Sequence, residues 1–261
     1  MINRYRFPLF LIAISLASLS SAIPAKGDVS LIETAQKSLP AIVSVTAEIT
    51  GIAQGGRPAA AIDKATGRMI ILRNVKAAHL KRVGAGVIID PSGLIATNVH
   101  TIANAQKITI AFNDGTQVTA QVVQYFPQED FALLSINPPY PLSSIEFADS
   151  DNIRLGEEVI TVGNSELLSQ TISGGKIIGI GSHNRQKQEG VNTDMIQTNI
   201  NVYKGDSGGP LLNRDGQLLG LMVAGQMDVD RSSFAIPSKK IRMHYLEYLR
   251  SLSEEKNQNS P

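Results

Sequence analysis

The chain has 261 residues, 43% of them hydrophobic, enough for one sizeable core or two joined subdomains. A net charge of +1 gives no bulk electrostatic pull toward nucleic acid or acidic partners. The lack of cysteine excludes disulfides, thiol catalysis and cysteine-ligated zinc; the four histidines (His79, His100, His183, His244) lack metal-ligand spacing, so no metal or other cofactor is expected.

At the N-terminus, Arg4 and Arg6 precede an apolar stretch over residues 7–19. Ser20-Ser21-Ala22 then offers small residues for cleavage, with Ala25 as a second choice. This predicts a secretory signal peptide over 1–22, favoured over an uncleaved anchor because the stretch is short for a span. No other segment is apolar enough to cross a membrane. The expectation is an exported protein, periplasmic or secreted, of the bacterial-envelope kind, without an integral span once the signal is removed. A cysteine-free composition is compatible with that route.

Residues 28–50 read as an N-terminal helix and first strand. Helical spacing runs over 29–38 with Asp28 as N-cap and Pro40 beyond it, and the β-branched run follows at 41–49. Residues 51–82 carry Gly-Gly, proline and an alanine run, and predict a long loop insertion with a short strand at Met69-Ile70-Ile71-Leu72. From Val83 strands and turns alternate closely, so 83–136 reads as the rest of a first barrel. Asp90-Pro91-Ser92-Gly93 and Asn113-Asp114-Gly115 are turns, the second inside a hairpin of 107–112 and 118–125. A linker spans 137–149, opening on a proline-rich stretch. A second barrel spans 150–237, with strands at 158–162, 171–180, 194–198, 210–212 and 218–224 and a polar loop at 183–190. Residues 238–252 read as a C-terminal helix with Ile241, Tyr245, Tyr248 and Leu249 on one face and Lys239, Lys240 and Arg242 solvated. The polar tail 253–261 is expected to fray. Short strands at regular intervals argue for an all-β barrel or sandwich over a doubly wound sheet.

Three segments carry chemistry. Gly205-Asp206-Ser207-Gly208-Gly209-Pro210 places a serine among turn-forming residues, and the glycines let backbone N–H groups approach a developing oxyanion. A glycine-rich hairpin would explain that run taken alone. Gly93-Leu94-Ile95-Ala96-Thr97-Asn98-Val99-His100 ends an apolar strand on a histidine, and Glu129-Asp130-Phe131-Ala132-Leu133-Leu134 opens one on an acid. A core-edge histidine or a turn aspartate would explain either alone. Together they give His, Asp and Ser in an order known for the serine-protease triad, with Asp114, Asp149 and Asp151 as alternatives for the acid. The run also fits G-x-S-x-G, but that nucleophile elbow needs a helix directly after the serine. Here a strand, an Asp-Gly turn and a strand follow, and only His244 lies downstream.

These segments, with Val83-Gly84-Ala85-Gly86-Val87-Ile88-Ile89, Ala148-Asp149-Ser150, Val162-Gly163-Asn164, Ile196-Gln197-Thr198-Asn199 and Phe234-Ala235-Ile236-Pro237-Ser238, resemble the protease domain of the HtrA/Deg family of trypsin-like serine peptidases. The resemblance runs from about Ala41 to about Leu249. It implies two six-stranded antiparallel β-barrels of the chymotrypsin type, with Ser207, His100 and Asp130 in the cleft between them. It also implies an oxyanion hole from the N–H groups of Gly205 and Ser207, and a specificity pocket of Val202, Met222, Val223 and Ala224. No acid matches a pocket position, so small and medium aliphatic residues are expected there instead of Arg or Lys. By position, 164–170, 182–193 and 225–232 match the family's activation loops. Three departures stand out: no room for PDZ domains after the last helix, Asp206 where relatives carry asparagine, and no Pro-Phe-Gly in 164–168. The implied function is hydrolysis of unfolded or damaged proteins and peptides through an acyl-enzyme, by a protein that trimerises. A non-proteolytic, chaperone-like binder or scaffold on the same fold is the alternative.

Overall fold

The computed structural model describes residues 30–54, 59–62, 69–72, 75–165, 169–182, 194–223 and 232–258. The expected signal peptide, Asp28, the loop at 183–190 and Ala224 lie outside them. No described helix is long and apolar enough to cross a membrane.

The first barrel closes from β1 (Ile42–Gln54), β4 (Val75–Asp90), β5 (Leu94–Asn98), β8 (Phe131–Ser135), β7 (Gln117–Phe126) and β6 (Lys107–Ala111), in that spatial order. A separate two-stranded sheet pairs β2 (Ala59–Ile62) with β3 (Met69–Leu72). The second barrel closes from β10 (Ser169–Ser182), β11 (Asp194–Thr198), β14 (Ser233–Pro237), β13 (Leu218–Val223), β12 (Pro210–Leu212) and β9 (Glu158–Ser165). All neighbours in both barrels are antiparallel, so the fold is all-β with two closed six-stranded barrels, as the resemblance implies. Closure leaves no open edge to be capped.

Three α-helices lie among the described residues: α1 (Leu31–Ser38), the single turn α2 (Val99–Ile102) and α3 (Ser238–Gln258). The cap of α1 is Ser30, whose hydroxyl accepts from the Glu33 N–H at 3.2 Å. The turns read from sequence are present: Asp90 accepts from the Ser92 N–H and Asp114 from the Thr116 N–H, each at 2.8 Å.

Two expectations need correction. Residues 51–82 are not one loop, because β1 and β4 stay paired from Ile42↔Val87 out to Gln54↔Val75. Gly51 and the alanines are poor strand formers, but a ladder already fixed by its buried half extends along its own register. The short strand expected at Met69–Leu72 is there, paired with Ala59–Ile62. The polar tail is helical as far as Gln258, since Glu254, Glu255 and Lys256 favour helix where no apolar face is needed.

The continuous apolar strands β5 and β8 are buried along their length. Their side chains join one core with Leu212, Leu218, Leu221 and Ile236 of the second barrel and Ile241 of α3. A second cluster of Val159, Ile177, Ile196, Leu211, Leu219 and Met222 fills the second barrel. Each fully buried aliphatic side chain stabilises by about 1.5–3 kcal/mol, so a core shared between barrels holds them at a fixed spacing.

Backbone seals the same seam. The Ala85 N–H on β4 donates to the Ser207 carbonyl at 2.7 Å, and the Thr97 hydroxyl donates to the Ala85 carbonyl at 2.8 Å. The linker is stitched to both barrels: Ile145 donates to Ile88, and Leu218 donates to Glu146. Gly208 has φ +84°, and a Cβ there would lie 2.1 Å from the Ala85 carbonyl oxygen. Gly115 has a similar φ of +86° with nothing within 4 Å. We expect Gly208→Ala to cost at least about 3 kcal/mol in urea denaturation, and Gly115→Ala only about 1–2 kcal/mol, the cost of the backbone conformation alone.

Candidate active site

Strand β5 delivers His100 on the one-turn helix α2, and the neighbouring strand β8 begins immediately after Asp130. A 3-10 turn over Pro127–Glu129 closes on Asp130 in the left-handed conformation, φ 53° and ψ 32°. Aspartate tolerates that region better than most residues. The turn is held because the Asp130 carbonyl accepts from both the Val99 N–H and the Asn98 side-chain amide, each at 3.1 Å.

With the backbone so placed, both carboxylate oxygens of Asp130 meet one residue. Oδ1 accepts from the His100 N–H at 2.9 Å and Oδ2 faces His100 Nδ1 at 2.6 Å. A carboxylate can only accept, so Nδ1 donates to Asp130, and in the neutral imidazole Nε2 then keeps its lone pair. Nε2 faces the Ser207 hydroxyl oxygen at 2.9 Å, and in that tautomer the hydroxyl is the donor. Arg82 on β4 donates to the His100 carbonyl from the other side. The structure thus joins the three residues singled out in the sequence by two consecutive side-chain hydrogen bonds.

Ser207 sits in the loop between β11 and β12, and that loop is pinned on two sides. β4 holds the Ser207 carbonyl, while Met222 accepts from the Gly208 N–H at 2.9 Å and donates to the Gly209 carbonyl at 2.8 Å. Gly205 has φ +100°, a setting that suits glycine and turns the chain just before Ser207. The turn is locked by Asp206: its N–H donates to the Tyr203 carbonyl at 3.0 Å, and its Oδ2 accepts from the Tyr203 N–H at 2.7 Å.

Asp206 is 1% exposed. Its Oδ1 also accepts from the Thr171 hydroxyl at 3.4 Å. It lies so close to Gly163 that a Cβ built there would stand 1.7 Å from Oδ1. The glycine of Val162-Gly163-Asn164 therefore makes room for this carboxylate. Burial pushes the Asp206 carboxyl above its ordinary 3.8, against the pull of the Tyr203 N–H and the Thr171 hydroxyl. Sequence reasoning singled out Asp206 only as a departure from its relatives; its burial depends on β9 and β10, which lie far off in the chain.

The residues expected to form a pocket divide. Val202 and Met222 are buried with the second barrel's core residues, and the backbone groups of Met222 are taken by Gly208 and Gly209. Val223 is partly exposed at the end of β13. A cleft of about 860 Å³ opens beside His100 and Ser207. Ile49, Leu80, Lys81, Arg82, Val83, Thr101, Lys204 and Gly205 line it with them; Val202, Met222 and Val223 do not.

Sequence reasoning missed a brace behind Asp130. His244 of α3 is buried, meets Glu129 at 3.0 Å through Nε2 and stacks on Phe126 with ring centroids 3.8 Å apart. Its neighbour Tyr245 donates to Asp90 at 2.6 Å; burial and that carboxylate push the phenol up to about 12, so it stays a donor. His244 lies on the helix's apolar face, but its partner is more than a hundred residues away.

The family model for the trypsin-like peptidase domain matches residues 84–221. The periplasmic pH-dependent serine endoprotease DegQ of Escherichia coli is 38% identical over 224 residues, covering 82% of this chain and 47% of DegQ. The probable periplasmic serine protease do/HhoA-like of Haemophilus influenzae is 36% identical over 169 residues, covering 62% and 35%. The periplasmic serine endoprotease DegP of Salmonella typhimurium is 34% identical over 171 residues, covering 61% and 34%. The chain thus spans less than half the length of these relatives.

Asp206 gives a pH signature. A carboxyl raised by burial binds its proton more tightly in the folded state. Its contribution to stability is therefore fully present below 3.8 and is lost as pH rises from 3.8 through the folded value. Asn at this position keeps an acceptor for the Tyr203 N–H without the charge. The stability difference between Asp206→Asn and the parent should move in favour of asparagine as pH rises from acid to neutral. Urea midpoints of both proteins at a series of pH values check it, and a flat difference contradicts it.

Proposed function

The chain belongs to the trypsin-like peptidase family, and from that membership we propose that it is an exported serine endopeptidase acting on unfolded or damaged proteins through an acyl-enzyme. The observation that carries the reading is the continuous chain Asp130–His100–Ser207, at 2.6 and 2.9 Å. Export is supported by the basic and apolar N-terminus and by relatives named as periplasmic.

In this mechanism the Ser207 oxygen attacks the scissile carbonyl while His100 Nε2 takes its proton. Imidazole titrates near neutrality, at about 6.5 when unperturbed, and so both accepts that proton and returns it to the leaving amine. Asp130 fixes the tautomer and stabilises the imidazolium; it does not take the proton itself. The N–H groups of Gly205 and Ser207 receive the oxyanion, and losing one such donor costs roughly 3 kcal/mol in transition-state binding. A water activated by the same His100 then releases the acyl half. A binder without peptidase activity has no use for all three side chains in this register.

By the family resemblance, the acyl-side pocket is assigned to Val202, Met222, Val223 and Ala224. Val202 narrows it, and an apolar pocket discriminates among aliphatics only weakly, by about 1–3 kcal/mol per methylene. A buried Lys or Arg would lack a partner there.

Casein digested by the mature protein should show many cuts after Val, Ala, Ile and Leu by mass spectrometry; cuts dominated by Lys, Arg or Glu would overturn the pocket assignment. Ser207→Ala should abolish cleavage with the fold unchanged by circular dichroism. Asp130→Asn should lower kcat by about ten-thousand-fold, whereas a fall below tenfold would move the role to another acid.

A further inference from the structure

The cleft beside His100 carries more information than the chemistry uses. It is lined by Gly205 and Ser207, by His100, and by residues of β1 and β4, whereas Val202, Met222 and Val223 do not line it. His100 is the group that protonates the leaving amine, so a cleft lined by His100 and not by those acyl-side residues is the leaving-group side. This assignment rests on the peptidase reading above.

Its lining combines apolar Ile49, Leu80 and Val83 with three cations, Lys81, Arg82 and Lys204, and with no carboxylate among the described residues. The cations are not equivalent. Lys81 lies 3.7 Å from Glu48, which offsets its charge. The Arg82 guanidinium is held in place by the carbonyls of His100 and Ala103, neutral acceptors that leave its charge unbalanced. Lys204 stands next to Gly205 and makes no ion pair among the described residues. Leu80 is 53% exposed on the same wall. Fixed positive charge over an apolar floor favours an extended segment bearing carboxylates and aliphatic side chains, and repels lysine and arginine.

The geometry points to a leaving-group site that selects substrates with aspartate or glutamate within the first three residues after the cut. Arg82 and Lys204 are the specificity-determining residues. The protein's net charge of +1 conceals this, because the positive charge is local to one cleft.

The test uses internally quenched peptides that share one acyl half ending in valine and differ after the cut, carrying Glu-Glu, Gln-Gln or Lys-Lys at the second and third positions. The expected order of kcat/KM is Glu over Gln over Lys. The extremes should differ by about tenfold in low salt and converge as salt rises. Lys204→Gln should lower kcat/KM for the Glu peptide more than for the Gln peptide, narrowing the ratio between them, and Lys204→Glu should reverse the order. The same order should appear in binding of the three peptides to Ser207→Ala, followed by fluorescence anisotropy, which needs no turnover. Equal rates in the parent, or equal binding to Ser207→Ala, overturn the acidic preference and leave the peptidase reading standing. Failure of a fluorophosphonate probe to label Ser207, with no peptide cut, removes the peptidase reading itself.

Discussion

One backbone hydrogen bond, from the Ala85 N–H to the Ser207 carbonyl, carries the constraint on which the site depends. His100 and Asp130 come from the first barrel and Ser207 from the second, so their alignment is set between barrels and not within either one. The bond at Ala85 fixes the main chain of Ser207 itself to β4 at 2.7 Å. Gly84 and Gly208 let the chains come that close, since a Cβ on either would run into the opposite backbone. The shared core behind the seam resists any sliding that would open it. Such stiffness matters because a displacement of about 1 Å in a reacting group can cost a hundredfold in rate.

The second expenditure is local strain. Asp130 is one of two non-glycine residues with positive φ among those described, and it sits where a carboxylate must present both oxygens to one histidine. A regular strand entry would point only one side-chain atom that way. The left-handed turn is kept by acceptor bonds on the Asp130 carbonyl and by the rings of Phe126, Phe131 and His244 stacked behind it. Asp206 follows a similar logic: a buried carboxylate is tolerated because it ties off the turn that presents Ser207.

Most of the fold was legible because the seam strands β5, β8 and β13 are buried through nearly their whole length and read as unbroken apolar runs. The three members of the array were legible because each ends or opens a strand, or sits in a glycine turn, where packing gives little reason for its identity. The outer arms of β1 and β4 were not legible: the pairing is main-chain, and their alanine, lysine and glycine residues carry no strand signal. The buried state of Asp206 and the Glu129–His244 contact were hidden for another reason. Both join segments distant in sequence, and burial of a polar side chain leaves no periodicity. The pocket residues were identified by resemblance alone, and the Met222 backbone bonds to Gly208 and Gly209 in the Ser207 loop.

The helix α3 has a mechanical consequence. It is 21 residues long, which makes it a rigid rod of about 30 Å. Its first turns are bolted to the first barrel by His244 and Tyr245 and sunk into the shared core by Ile241, while the turns from Ser253 to Gln258 stand in solvent. A rod clamped at its first turns and exposed over Ser253 to Gln258 is a lever with its fulcrum at His244, one residue contact from the turn that carries Asp130. Torque on those exposed turns is therefore delivered to the turn that carries Asp130.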